Sequence, residues 1–281
     1  MAGTPQGSTP RGTGPAGSGA SASTAGGNHT PAVRSPDRRP LGDEIKSLFA
    51  GDNVKSILGA ILVFLFVRTF LVEAYRIPSG SMEPTLLIGD WLFVNNLAYG
   101  PHIPFTSLSL PGYTAPKRRD VVVFKSPPQI DEPADPTPIL VKRLWGTPGD
   151  TLFMRDGILR INGEALPQGP EFANNIQQPD RPDSLFSWQR RYGLTASRFG
   201  AAPLEPTHDN WGPIVVPPKH YFMLGDNRYE SKDSRYWGFV PSENLRGRPL
   251  FVYYSYDTET GLPYFRGITE IRWGRLGHWI R

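Results

Sequence analysis

The most prominent feature of the hydrophobic pattern is one long apolar segment in the N-terminal quarter of the chain. Residues 57–67 carry no charge, and Arg68 is the only charged residue between Lys55 and Glu73. As a helix, the 17 residues between those two positions extend about 26 Å, close to the ~30 Å hydrocarbon core of a bilayer. We therefore expect one membrane-spanning helix over residues 55–74. A cleaved signal peptide and a buried core helix are the alternatives, and no Ala-x-Ala-like cleavage site follows the segment.

Beyond this segment the pattern consists of short apolar stretches separated by Pro, Gly, Asn and Asp. Residues 151–166 predict a meander, because Asp156-Gly157 and Asn162-Gly163 are typical two-residue hairpin turns. Residues 167–212 lose the alternation and are expected to form an inserted lobe. The other stretches that predict strands are residues 91–94, 121–124, 139–145, 214–216, 221–224, 251–256 and 264–271.

The chain therefore divides into a tail, a membrane segment and a β-rich domain. Gly, Ser, Thr, Ala and Pro dominate residues 1–40, which cannot bury enough apolar surface to offset their chain entropy, so we expect a disordered tail. Residues 41–54 form a short juxtamembrane segment. The predicted fold class is mainly β, with an antiparallel core over residues 75–166 and 213–275. Residues 276–281 are expected to form a C-terminal tail.

Charge predicts how the membrane segment is oriented. Basic residues precede it, and a positive flank keeps the N-terminus in the cytoplasm and places the domain after residue 75 outside. The net charge of +4 is modest and the basic residues are scattered, so nucleic acid is not an expected partner. The absence of cysteine excludes disulfides and thiol nucleophiles, and no histidine spacing is typical of a metal site. The basic residues before the segment are Arg34, Arg38, Arg39, Lys46 and Lys55.

Ser81 lies in a segment that favours a shaped loop. Pro78 and Pro84 flank a Ser-Gly-Ser turn, so this segment can neither continue a helix nor lie in a central strand. A serine hydroxyl needs a base to become nucleophilic, and none of the five histidines has a distinctive setting. Lys142 can serve instead, because its apolar neighbours predict a buried strand and burial lowers the pKa of an amine. An ordinary loop and a lysine that reaches solvent from an edge strand are the alternatives.

Five blocks, in this order, resemble bacterial type I signal peptidases (leader peptidases) and cover about residues 70–275. The first is Pro-Ser-Gly-Ser-Met-x-Pro-Thr-Leu, directly after the membrane segment. The others are Gly-Asp, Arg-Asp-Val-Val-Val-Phe, Lys-Arg-Leu-Trp-Gly-Thr-Pro-Gly-Asp, and Gly-Asp-Asn-Arg-Tyr-Glu-Ser-Lys-Asp-Ser-Arg-Tyr-Trp-Gly. The family fold is a β-rich catalytic core with a second lobe inserted before the last block, which suits residues 167–212.

The resemblance implies a role for each matched residue. Ser81 would be the nucleophile and Lys142 the general base, while the Ser79 hydroxyl and the Ser81 backbone N–H would stabilise the oxyanion. Ser231 would hydrogen-bond and orient the lysine. The expected supporting residues are the Asp233–Arg235 ion pair and Asp226, Asn227 and Arg228, which hold the loop in shape. The expected substrate pockets are lined by Ile77, Pro78, Met82, Leu86, Leu140 and Val141.

By the same resemblance, the chain is a single-pass serine endopeptidase of the cell membrane, with its catalytic domain on the outer face. It would cleave N-terminal signal peptides from exported preproteins after a small-x-small motif, without cofactor or metal. The implied partners are preprotein signal peptides, membrane lipid and, by proximity, the protein-export channel. Glu230 departs from the family pattern and is expected to face solvent, since a carboxylate facing Lys142 would raise the pKa of the amine.

Two other functions are compatible with parts of the pattern. One is a Ser/Lys peptidase that cleaves itself or one dedicated partner. The other is a non-catalytic, membrane-tethered β module that binds extended peptides. The basic, Trp-containing C-terminus is either an interfacial contact with anionic lipid or an ordinary terminal segment.

Overall fold

The computed structural model describes residues 51–103, 106, 108–167, 179–195, 197–260 and 266–281. The predicted tail over residues 1–40, most of the juxtamembrane segment and residues 168–178 of the predicted lobe lie outside the described residues.

The apolar segment forms one continuous helix. Helix α1, Gly51–Phe66, continues as a π-helical turn, Val67–Leu71. Its span Asn53–Leu71 has a mean hydropathy of 2.0 and buries none of its residues, so the buried core helix is the wrong interpretation. The helix ends at Leu71 rather than at residue 74, because strand β1, Val72–Arg76, pairs with the strand that follows it.

The larger sheet has seven antiparallel strands in the order β1-β2-β11-β3-β4-β9-β10. Strand β3 and the second half of β4 are buried on both faces, as the continuous apolar run of β3 predicts. The strands besides β1 are β2 (Asp90–Asn95), β3 (Val121–Lys125), β4 (Ile139–Gly146), β9 (His220–Leu224), β10 (Val240–Pro241) and β11 (Leu245–Ser255).

The smaller sheet contains the predicted meander. Its order is β7-β6-β5-β8, where the strands are β5 (Thr151–Arg155), β6 (Ile158–Ile161), β7 (Glu164–Ala165) and β8 (Trp211–Val215). All four residues of the two predicted hairpin turns have positive φ, as such turns require. Strand β8 begins at Trp211, inside the range expected for the lobe. Buried side chains such as Trp145, Trp211 and Phe222 join this sheet to β4 and β9.

The predicted strand over residues 264–271 is wrong for its described part, residues 266–271. Residues Arg266–Thr269 form a short helix, and only Ile271 makes a bridge, to Tyr256. The reason is that residues 277–280 occupy the β11 edge: Gly277 N donates to Val252 O (2.8 Å) and Ile280 N donates to Leu250 O (3.0 Å). The expected C-terminal tail is therefore part of the folded domain. The other short helices are α2 (Gln189–Tyr192) and α3 (Ser234–Trp237), so the one over Arg266–Thr269 is α4.

Candidate active site

Ser81 lies in the loop that connects β1 to β2. Two backbone hydrogen bonds close the loop at its base, from Ile77 N to Asp90 O (2.8 Å) and from Gly89 N to Ile77 O (3.0 Å). Ser79 is exposed, whereas Ser81 is only 8% exposed. The two hydroxyl oxygens lie 3.5 Å apart. The Ser-Gly-Ser turn therefore directs Ser81 toward the sheet, while Ser79 stays at the surface beside it.

Lys142 meets Ser81 from the middle of β4. Its side chain is 3% exposed, and Nζ donates a hydrogen bond to Ser81 Oγ. In the register of the sheet Lys142 lies opposite Val122, which is fully buried. Burial lowers the pKa of Lys142 to about 8, while Asp233 raises it and Arg235 lowers it by their charges. The expectation that Lys142 is buried on its strand is thus confirmed.

The segment after β9 contributes a buried ion pair next to Ser81 and Lys142. The carboxylate of Asp233 accepts hydrogen bonds from Gly225 N (3.0 Å) and from Ser231 Oγ (2.8 Å). It also forms the expected ion pair with Arg235, whose Nε and Nη2 each lie 2.8 Å from a carboxylate oxygen, and both side chains are fully buried. Burial alone would raise the pKa of Asp233, but the Arg235 charge together with the hydrogen bonds from Arg235 and Gly225 N outweighs it and holds that pKa below its usual value.

Ser231 does not bind the lysine in the expected way. Among the described residues, its hydroxyl donates to Asp233 rather than to Lys142. It nevertheless lies close to the Ser81 loop, because a Cβ on Gly225 would meet Ser231 Oγ at 2.2 Å and Ser81 O at 2.4 Å. Gly225 therefore has no room for a side chain. Because it has none, Ser231 and the Ser81 backbone can both lie close to the Gly225 backbone.

A second buried ion pair fixes the same loops to β4. Arg143 donates to Asp226 through Nε (2.8 Å) and Nη2 (2.6 Å), and Thr85 Oγ1 donates to Asp226 as well (2.6 Å). Asn227 N donates to Ser81 O (3.2 Å). These contacts link residues from the nucleophile loop, β4 and the segment after β9. Sequence reasoning missed Arg143 and Thr85, although an arginine inside a buried strand was a signal that a buried carboxylate faces it.

Comparison with known proteins identifies the family of the chain. The family described as signal peptidase, peptidase S26, matches residues 51–254 of the chain. The chain belongs to this family. A signal peptidase I of Pseudomonas aeruginosa is 33% identical over 258 residues, which cover 85% of each chain. One from Pseudomonas fluorescens is 36% identical over 243 residues, 80% of each chain.

A solved structure is also similar in sequence. A signal peptidase I from Enterococcus faecalis V583 is 30% identical and covers 48% of this chain and 97% of its own, with a TM-score of 0.30. The S26 family consists of serine endopeptidases and is associated with membranes, so this signal peptidase homologue is an enzyme of that class.

The residues expected to line substrate pockets do not share one surface. Ile77 and Met82 pack in one buried cluster with Val141 at its margin, and Leu86 is fully buried inside that cluster. Leu140 packs against a different cluster, because alternate residues of β4 face opposite sides. Pro78 is exposed. Met82 and Leu86 therefore form the base of the site rather than its walls.

Two further outcomes concern Glu230 of the last block and His208, which contacts that block. Glu230 is exposed, as expected, and accepts a hydrogen bond from Asn227 Nδ2 (3.1 Å). His208, which had no distinctive setting in the sequence, lies against Nη1 of Arg235 and bonds to Asp209 Oδ1 (2.6 Å). Burial lowers the pKa of His208, and the Arg235 charge lowers it further. The part of the chain that the structure describes contains no cluster of three or more metal-ligating side chains.

Proposed function

We propose that this chain is a membrane-anchored endopeptidase that removes N-terminal signal peptides from exported preproteins after a small-x-small motif, with Ser81 as nucleophile and Lys142 as general base. The observation that carries the proposal is the hydrogen bond between a buried amine of lowered pKa and the Ser81 hydroxyl. A neutral lysine in this contact supplies the base that an isolated serine lacks.

The proposed reaction proceeds through an acyl-enzyme. Lys142 Nζ takes the proton of Ser81 Oγ as the oxygen attacks the peptide carbonyl, and the oxyanion accepts hydrogen bonds from Ser79 Oγ and Ser81 N. Protonated Lys142 then gives the proton to the leaving amine, which breaks the C–N bond. Water deprotonated by the same amine attacks the ester and releases Ser81. Asp233 and Arg235 act on the lysine through their charges, and Ser231 donates to the Asp233 carboxylate.

The substrate is proposed to lie along β4. Strand β9 pairs with β4 only from Arg143 onward, so residues 139–142 have a strand partner on the β3 side only, among the described residues. An extended peptide added to this open edge gains backbone hydrogen bonds with few side-chain demands. Its small side chains would pack beside Ile77, Pro78 and Val141, while the buried Met82 and Leu86 back this surface and Leu140 faces the other cluster.

Helix α1 is proposed to anchor the enzyme. The length and hydropathy of the span Asn53–Leu71, which buries none of its residues, suit a single membrane crossing. The basic residues before it favour a cytoplasmic N-terminus with the β-rich domain on the outer face. Membrane lipid and, by location, the protein-export channel are then its neighbours.

The direct test is cleavage of several unrelated preproteins by the full chain in detergent, with the new termini located by mass spectrometry. We expect a single cut in each preprotein, after a small-x-small sequence. Cleavage of one preprotein alone would favour a dedicated Ser/Lys peptidase. Binding of signal peptides without any cut would favour a non-catalytic module and contradict the proposal.

The pH dependence of kcat/KM provides an independent prediction. Because only the neutral amine can accept the serine proton, activity should rise about tenfold per pH unit below the Lys142 pKa and level off above it. With that pKa at about 8, the plateau should begin near that pH. Initial rates at low substrate concentration measure the profile, and circular dichroism at each pH is the folding control. A flat profile between about pH 6 and about pH 9 would exclude Lys142 as the titrating base.

A further inference from the structure

The imidazole of His208 contacts the buried ion pair beside Lys142. Nε and Nη2 of Arg235 donate to the Asp233 carboxylate, both at 2.8 Å, whereas Nη1 of the same guanidinium lies against Nε2 of His208. Arg235 is fully buried, and the His208 side chain is only 15% exposed. A residue from the range predicted as a lobe therefore touches the ion pair directly.

The donors and acceptors around the ring determine where its proton lies. A guanidinium can only donate hydrogen bonds, so Nε2 accepts one from Arg235 and carries no proton. A carboxylate can only accept, so Nδ1 carries the proton and donates it to Asp209 Oδ1 at 2.6 Å. The carbonyl oxygen of Arg228 also lies 2.7 Å from Nε2, but it accepts a hydrogen bond from Arg235 Nη2 at 2.6 Å. His208 is therefore neutral, as the Nδ1–H tautomer.

Neighbouring residues hold the ring in this orientation. Tyr229 stacks on it, with ring centroids 4.7 Å apart and an angle of 22° between the planes. Tyr229 Oη also donates to Asp209 Oδ2 at 3.1 Å, and the backbone N of Asp209 donates to Asp180 Oδ1 at 3.0 Å. The carboxylate that selects the tautomer is thus itself fixed from two sides.

The contact bears on Lys142 because Arg235 and Asp233 both act on the lysine by their charges. The size of each effect depends on distance, and so on where the guanidinium lies. A neutral His208 gives Nη1 of Arg235 an acceptor. A protonated His208 would instead present an N–H and a positive charge to the same nitrogen. The arrangement of the ion pair therefore requires the neutral ring.

We propose that His208 is a positioning residue for Lys142: as a neutral imidazole it accepts a hydrogen bond from Arg235 and holds that guanidinium on the Asp233 carboxylate. The proposal rests on the proposed function. It extends the Ser81–Lys142 site to a residue outside the five blocks, and it makes the reaction sensitive to a second proton besides the one on Lys142.

The surroundings of the ring determine when that second proton binds. Burial lowers the pKa of His208 and the Arg235 charge lowers it further, whereas the hydrogen bond and the charge of Asp209 raise it. The net effect places the pKa below the ordinary value of 6.5, so the ring is neutral at the pH where Lys142 is active. The other titratable groups that face the ring are Asp180, Arg181 and Asp183 from residues 179–183, and Arg228, Tyr229 and Tyr236 from the last block.

The kinetic test compares pH profiles of kcat/KM for preprotein cleavage by the full chain in detergent. In the parent, the fall of about tenfold per pH unit that Lys142 imposes should steepen toward about a hundredfold once His208 is protonated. His208→Gln keeps a neutral acceptor for Arg235 and does not titrate, so its activity at about pH 8 should stay within about threefold of the parent and its acid slope should remain about tenfold.

His208→Leu removes the acceptor. We expect kcat/KM at about pH 8 to fall about tenfold, and the profile to move to higher pH because a displaced guanidinium lowers the pKa of Lys142 less. The matched control is His220→Leu, since His220 bonds to the carbonyl oxygen of Pro218 at 2.8 Å, and its profile should match the parent. If His208→Leu does not fold, the acid slopes of the parent and His208→Gln still decide.

A double variant separates positioning from a general structural role. Adding His208→Leu to Arg235→Met should leave the pH profile of Arg235→Met unchanged, because His208 acts through Arg235. A further shift as large as the one in the parent background would overturn the proposal, as would equal acid slopes in the parent and His208→Gln.

NMR of ¹⁵N-labelled histidine in the full chain provides a readout that does not depend on cleavage, with His208→Gln used to assign the signal. We expect the Nδ1–H tautomer at about pH 8, converting to the imidazolium only below the ordinary pKa of 6.5. An Nε2–H tautomer, or a charged ring at about pH 7, would overturn the proposal. Failure of the proposed function would look different, because the parent would then cleave no preprotein at any pH.

Discussion

Replacing Lys142 with methionine is expected to reduce kcat/KM for preprotein cleavage by at least about 10⁴-fold, the scale seen when one member of a catalytic unit is removed. Methionine fills the same buried space, so the sheet and the Ser81 loop should keep their positions. What disappears is the acceptor for the Ser81 proton, in contact with Oγ. Single-turnover cleavage measured at about pH 9 gives the comparison in conditions where the parent amine is neutral.

The stability of the Lys142→Met variant provides its folding control. The folded pKa of Lys142 is about 8, below the ordinary value of 10.5, so the folded state disfavours the charged amine. At neutral pH this costs up to about 3 kcal/mol, since one pKa unit corresponds to about 1.4 kcal/mol. For the parent, stability should therefore rise as pH increases from about 8 to 10.5, because the unfolded chain binds more protons there.

We thus expect Lys142→Met to be inactive and yet more stable than the parent at pH about 7, measured by urea unfolding. Ser81→Ala should be equally inactive, and the double variant should be no worse than either single one, because the two groups act as one unit. Substantial cleavage by either single variant would contradict the assigned pair.

The parts of this site that depend on neighbouring residues were predictable from sequence, whereas the contacts between segments far apart in sequence were not. Lys142 could be identified because its burial follows from the apolar residues next to it on the same strand. The closeness of Ser231 to the Ser81 loop depends on two segments that are far apart in sequence meeting at Gly225, which no local pattern encodes. His208 was overlooked for the same reason: its contact with Arg235 joins residues 167–212, the range predicted as a lobe, to the last block.

The fold followed the same division. The hairpin turns of the meander were specified by Asp-Gly and Asn-Gly pairs, so β5 to β7 were predicted correctly. The prediction of a strand over residues 264–271 was wrong because apolar content alone does not show which segment pairs with a free strand edge. In the structure, residues 277–280 take the β11 edge instead.

Arg235→Met should combine a large loss of stability with a shift in the pH profile. The substitution leaves the Asp233 carboxylate buried without its ion-pair partner, which typically costs about 3–5 kcal/mol. The loss of the Arg235 charge also removes an effect that lowers the pKa of Lys142, while the remaining Asp233 charge still raises it. The pKa of the lysine should therefore rise above about 8, and activity at neutral pH should fall more than activity at high pH.

The decisive measurement is the ratio of kcat/KM at about pH 9.5 to that at about pH 7, which should be larger for Arg235→Met than for the parent. A purely structural role would lower both rates equally and leave this ratio unchanged. The matched control is Arg248→Met, because Arg248 forms a more exposed ion pair with Asp120 at 3.5 Å and should cost less than about 1 kcal/mol. Adding Asp233→Asn to Arg235→Met removes the unpaired charge, so it should recover part of the lost stability and lower the pKa of Lys142 again. A double variant with the same upward-shifted profile as Arg235→Met would show that Asp233 does not act on the amine.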